Sequence, residues 1–161
     1  MTKHVVLMIG ALFCLLSCGT KAPKPKGDLL FLEYTARGTM DGYEYKGRIE
    51  QVSDTTFKLT AMKMTYGPLF RKQISKAEMD KFKKIIIAEK MYKYKEHYRP
   101  MFEVKDGRIW HFYAKFSDGT KIHSDGENAV PGNNGLPKIL NSLQQMIEDS
   151  TQELTDSLDN T

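Results

Sequence analysis

The run Trp110 to Gly126, WHFYAKFSDGTKIHSDG, decides how this chain folds, because apolar and polar side chains alternate on both sides of Asp118-Gly119. Alternation with a period of two marks a half-buried strand, and Asp-Gly between two such runs marks a hairpin. The length of the turn sets which side chains share a face. A two-residue loop would set Phe116 opposite Lys121 and Ala114 opposite His123, mixing polar groups into the apolar row. A three-residue loop, Ser117-Asp118-Gly119, with Gly119 in the left-handed region, sets Ala114 opposite Ile122 and Phe112 opposite Ser124. The second register is the consistent one. It assigns Trp110, Phe112, Ala114, Phe116 and Ile122 to the core and puts His111, Tyr113, Lys115, Lys121 and His123 together on the opposite face.

Outward from this hairpin the same pattern recurs, with further Asp-Gly pairs at 41-42, 106-107 and 125-126. Leu29 to Met40, Tyr43 to Val52 and Phe57 to Met64 read as one group of three strands. Met101 to Lys105, Arg108 to Phe116 and Thr120 to Ser124 read as a second. Between the groups, Ser75-Lys-Ala-Glu78 matches a capping box, and Met79, Phe82, Ile85, Ile86 and Tyr92 form one stripe of a helix reaching about Tyr92. After the second group, Leu136, Ile139, Leu140, Leu143, Met146 and Ile147 recur at three and four, with Pro137 near the first turn. The spacing predicts an α+β fold: an antiparallel sheet of about six strands in βββα-βββα order, with two amphipathic helices packed on one face.

The chain ends differ in character from this middle. Lys3, the apolar run Val5 to Leu16 and the small Ser17 have the three parts of an export signal, and the run is too short for a bilayer core that needs roughly 20 residues. Cysteine follows at once. Leu15-Leu16-Ser17-Cys18 resembles the lipobox of bacterial lipoproteins, which implies diacylation of the Cys18 thiol, cleavage before it and anchorage in a membrane. The chain has two cysteines. Cys14 leaves with the signal and Cys18 is capped by lipid, so no thiol remains for a disulfide, a metal or catalysis.

Residues 1–17 are therefore read as a lipoprotein signal peptide and 18–28 as the lipidated cysteine with a solvated Lys/Pro tether, GTKAPKPKGD after the cysteine. Residues 29–149 form a single α+β domain, and 150–161 an acidic disordered tail. Some lipoproteins sent to the cell surface carry an acidic cluster after the cysteine. Lys21, Lys24 and Lys26 stand there instead, and point to an outer-membrane anchor facing the periplasm.

Trp110 to Pro131 also resembles a block found in uncharacterised small secreted or lipid-anchored bacterial proteins. Its features are a tryptophan strand, an Asp-Gly turn, then serine, glycine, asparagine, alanine and proline at Ser124, Gly126, Asn128, Ala129 and Pro131. The resemblance implies the α+β domain and no activity. In this block Gly126 permits a positive φ, Asn128 bonds nearby backbone and Pro131 ends strand pairing, which together read as a structural corner.

Catalytic signatures are missing from the sequence: there is no G-x-S-x-G elbow, no H-E-x-x-H, no C-x-x-C and no glycine-rich phosphate loop. No cofactor and no metal is expected, and export argues against nucleic acid. The residues that could contact a ligand or partner are His111, Tyr113, Lys115, Lys121 and His123, a set suited to an anionic group. His111 and His123 are displaced along the hairpin, and no third metal ligand stands at useful spacing. A second feature is Arg71 to Pro100, with ten basic against four acidic residues. It suits an anionic envelope component or an acidic protein. The reading is a lipid-anchored envelope protein acting as a non-catalytic binding or interaction module. The alternative is a small envelope hydrolase with a site around His111, His123 and the Asp125 to Asn128 loop.

Overall fold

The computed structural model describes residues 22–38, 42–64, 67–102 and 107–159, the side chains of Tyr43 and of residues beyond 149 excepted. Cys18 and the signal lie outside the described residues. The elements run β1 (Leu29–Arg37), β2 (Tyr43–Gln51), β3 (Thr56–Lys63), β4 (Leu69–Ser75), α1 (Lys76–Ala88), a 3₁₀ turn (Met91–Lys93), β5 (His97–Tyr98), β6 (Ile109–Phe116), β7 (Lys121–Glu127) and α2 (Gly135–Asp159). The strands form one seven-stranded sheet in the order β4-β3-β2-β1-β6-β7-β5. Every neighbouring pair is antiparallel except β5 and β7.

The first strand thus lies in the middle of the sheet, paired with β2 on one side and β6 on the other. Between Leu29 and Phe31 its register against β6 slips by one residue. Such a bulge places an extra residue on one strand. Here it lets Leu29 and Leu32 both reach the core while Phe31 turns to the opposite face.

One face of the sheet carries the core. Leu32, Ile49, Leu59, Ile74, Phe112 and Phe116 pack with Met79, Phe82 and Ile86 of α1 and with Leu136, Ile139 and Leu143 of α2. Each fully buried side chain of this size contributes about 1.5 to 3 kcal/mol. Helix α1 starts as its sequence requires: the Glu78 N–H donates to Ser75 Oγ at 3.3 Å and the Ser75 N–H to Glu78 Oε2 at 2.7 Å. Among the described residues, no helix is long and apolar enough to cross a membrane.

The α+β class and the two helices agree with the sequence reading, while the strand count and order do not. Seven strands replace the expected six, and four of them, not three, precede α1. The extra one, β4, is an edge strand on which only Ile74 is fully buried. Its Arg71 and Lys72 blunt the apolar alternation that would mark it, as charges commonly do on edges. Of the strand expected over Met101 to Lys105, Met101 and Phe102 lie in a bend and are highly exposed, and 103–105 fall outside the described residues. Its place in the second group is taken by β5, two residues paired in parallel.

Three further differences concern local structure. Asp125-Gly126 is not a turn, because β7 continues through both residues to Glu127. Gly126 has no positive φ; that conformation belongs to Asn128, at 53°. Glycine is required at 126 by proximity, since a Cβ there would lie 2.2 Å from Trp110 Nε1. Finally, α2 runs on to Asp159, so the tail expected to be disordered is helical in backbone. It contains no proline or glycine to stop it.

The tether also departs from expectation over its described part, 22–28. It is neither helix nor strand, as expected of a spacer, but it is not solvated throughout. Pro25 is buried and Ala22 packs against the core cluster. The Lys26 and Gly27 N–H groups donate to Asp118 Oδ2 at 2.7 and 2.9 Å, and the Asp28 N–H donates to Ser117 Oγ at 2.8 Å. The Ser117 N–H in turn donates to the Asp28 carbonyl at 2.8 Å. Asp118 is held well below the usual carboxylate range by the N–H groups of Lys26, Gly27 and Thr120. The turn that closes β6 onto β7 therefore also clamps the N-terminal segment.

Candidate functional site

Among the described residues nothing covers the face of the sheet opposite the helices, and its side chains are half-buried or exposed. The β6–β7 hairpin has the three-residue loop, with Gly119 at φ 84° and Phe116 bonded to Thr120 across it. The register sets Lys115 opposite Lys121, Tyr113 opposite His123 and His111 opposite Asp125. His111, Tyr113, Lys115, Lys121 and His123 accordingly share the open face, as alternation requires.

The two histidines are diagonal neighbours, and they touch. Their ring centroids are 4.8 Å apart at 63°. Diagonal pairs across an antiparallel hairpin lie about 7 to 8 Å apart at the backbone, within reach for rings. The displacement along the hairpin therefore does not separate them. Burial, reinforced by His123, holds the His111 imidazole below its ordinary pKa, against the opposing pull of Glu33 and Asp125.

The contacts continue across the sheet. Tyr113 meets His123 at 6.4 Å and Phe31 at 5.6 Å, both edge to face, and the Arg48 guanidinium lies 5.0 Å over the Phe31 ring. Residues from β2, β1, β6 and β7 thus form a continuous ladder of flat groups: Arg48, Phe31, Tyr113, His123 and His111. Flat rings offer stacking surface at low entropic cost, and the guanidinium adds a cation–π contact. The bulge in β1 is what turns Phe31 into this row.

A second cluster closes the far edge. His97 Nδ1 lies 2.6 Å from Asp125 Oδ1, and Arg99 Nη1 donates to Asp125 Oδ2 at 2.9 Å. Arg99 Nε also lies 3.8 Å from Glu127 Oε2. Glu96 stands between two imidazoles, 3.9 Å from His97 Nε2 and 3.8 Å from His123 Nδ1. Burial alone would raise the Asp125 pKa, but the bonds from His97 and Arg99 outweigh it and hold the carboxyl below its ordinary value.

Glu96, His97, Arg99, Phe31 and Arg48 are the members of this surface that sequence reasoning misses. A two-residue strand carries no periodic signal, and its parallel pairing with β7 is non-local. Phe31 hides because strict alternation from Leu29 would turn it into the core.

The Asp125 to Asn128 segment does not join the histidines as a loop. The Asn128 N–H donates to the Arg108 carbonyl at 2.9 Å, and Trp110 Nε1–H to the Ala129 carbonyl at 2.7 Å. Ser124 faces the core, its hydroxyl donating to the Lys95 carbonyl at 2.6 Å. The segment is a structural corner that locks the tryptophan strand. Among the described residues, no three His, Cys, Asp or Glu side chains converge to hold a metal ion.

The basic segment is only partly free. Lys76 and Lys83 both pair with Asp28, and together they lower its pKa. Lys84, Lys90 and Lys93 remain exposed. Comparison of the chain with known protein families and with curated proteins gives no match.

Proposed function

We propose that the protein is a lipid-anchored component of the bacterial cell envelope, attached through Cys18 to the outer membrane and facing the periplasm. There it acts as a non-catalytic binding or interaction module. The observation that supports this reading is the open sheet face. Side chains from four strands build a connected ladder of rings there, flanked by Lys115 and Lys121 and uncovered by either helix. A face of that kind suits a partner with flat or sugar-like surfaces and negative charge, an anionic envelope component or protein.

The hydrolase alternative has one geometric feature in its favour. Asp125 orients the His97 imidazole through Nδ1, which is the arrangement that prepares a histidine for proton transfer. The sequence-based form of that site, around His111, His123 and the Asp125 to Asn128 segment, would have to be recentred on His97.

Complementation of a deletion strain separates the two, provided each variant accumulates normally. The binding module predicts that Tyr113→Ala with Lys121→Glu weakens function and recovery of a crosslinked envelope partner together, and that His97→Ala has little effect. Loss of function confined to His97→Ala and Asp125→Asn would favour the hydrolase, since a positioned proton-transfer group contributes roughly 10² to 10⁴ in rate.

A further inference from the structure

The lysine-bearing end of the sheet and the clamped N-terminal segment occupy the same region. Ala22 and Pro23 line a groove of about 760 Å³ together with Lys95, Lys121, His123 and the Asp118 to Thr120 turn. Lys115 stands directly opposite Lys121. Like charges so placed repel one another and destabilise a strand pair. Neither lysine is relieved: Lys24, Lys26, Lys95, Lys115 and Lys121 are all exposed, and none forms an ion pair among the described residues. Two carboxylates, Asp118 and Glu96, also line the groove, and five lysines against these two leave the end with an excess of positive charge.

Chain length then fixes where this end must sit. Three residues, Gly19 to Lys21, separate Cys18 from Ala22. Fully extended, that run spans roughly 14 Å. From Ala22 onward the segment is packed on the domain. A lipid on Cys18 therefore keeps the β6–β7 turn within tether's reach of the membrane surface, so that its basic groups can enter the roughly 8 Å over which anionic headgroups attract them.

We propose that the Lys24, Lys26, Lys95, Lys115 and Lys121 end of the domain docks on the anionic phospholipid surface in which the protein is anchored. Docking gives the protein a defined orientation, with the opposite end of the sheet pointing away from the bilayer. The orientation in the cell rests on the lipid-anchor reading; the attraction of this surface for anionic lipid does not.

The test uses the mature chain beginning at Cys18, which is then its one cysteine. Its thiol is coupled to a maleimide phospholipid in vesicles of phosphatidylcholine, with or without phosphatidylglycerol. Acetylation of each lysine is followed by mass spectrometry. On the anionic vesicles, labelling of Lys24, Lys26, Lys95, Lys115 and Lys121 should slow about fivefold, the scale of one basic group's attraction to such a surface. Lys63, at the other end of the sheet, should label at the same rate on both. The double variant Lys115→Glu, Lys121→Glu should lose the difference at Lys24 and Lys95 as well. Equal labelling of the cluster on the two vesicles, protection of Lys63 instead, or protection that survives the double charge reversal would overturn the proposal. Because the coupling is chemical, these outcomes are independent of whether the cell acylates Cys18. Fatty-acid labelling in cells decides that separately.

Discussion

Trp110 is held from two sides. Its ring is buried against Tyr98 at 5.7 Å, and its Nε1–H is spent on the Ala129 carbonyl. Trp110→Ala should therefore destabilise the domain by about 3 to 5 kcal/mol, as truncation of a large buried aromatic does, whereas His111→Ala on the open face should cost no more than about 0.5 kcal/mol. Denaturant melts of the unlipidated chain compare the two, and a larger cost at His111 would invert the assignment of faces. Tyr45 presents the opposite case. Among the described residues its buried hydroxyl has no hydrogen-bond partner, and burial pushes its pKa upward. An unsatisfied buried hydroxyl costs about 1 to 3 kcal/mol, so Tyr45→Phe should raise stability in the same melts. Unchanged or reduced stability would show that the hydroxyl has a partner after all. At this scale the facing of Tyr113 and His123 is legible in the sequence, because it depends only on alternation and one turn. The contact of His97 with Asp125 is not, because it depends on two segments that meet only when the sheet is complete.

The β6–β7 hairpin performs two tasks with one turn. Asp118 accepts from the Thr120 N–H within the turn at 2.9 Å and from Lys26 and Gly27 across it. Asp118→Ala removes both sets of bonds and should leave the strands paired through their backbone ladder. Proteolysis after Lys26 should accelerate, while the main unfolding transition should move little, because the turn is exposed and the strand pairing does not depend on these bonds. Limited trypsin digestion alongside a melt checks this. Unchanged cleavage would mean that burial of Pro25 suffices to hold the segment. Of the elements, β1, β2, β3, β6, β7 and both helices are legible from periodicity, capping and turn residues. β4 escapes because an edge strand needs only Phe70 and Ile74 turned inward, and β5 because two residues make no pattern. The clamped segment reads as a solvated spacer because Pro and Lys usually are one, and only the carboxylate of a distant turn makes it otherwise.

At the scale of the whole molecule, the proposed membrane attachment depends on a single thiol. Cys18→Ala should yield a chain that takes up no labelled fatty acid and leaves the membrane fraction; continued labelling and sedimentation would sink the lipoprotein reading. The arrangement of the domain carries a different consequence. The first strand of the sheet is its central one, and Leu32 of β1 finds its neighbour Ala114 only after most of the chain has been made. Pairings this distant in sequence are slow to form, since a long loop must close before any contact rewards it. Until β6 arrives, β1 to β4 can form at most a meander with one bare central edge and half a core. A chain still emerging from the ribosome thus cannot complete this sheet before β6 and β7 are out, and closing it means inserting the tryptophan hairpin against a strand made at the outset, with α2 still to come and cover the core.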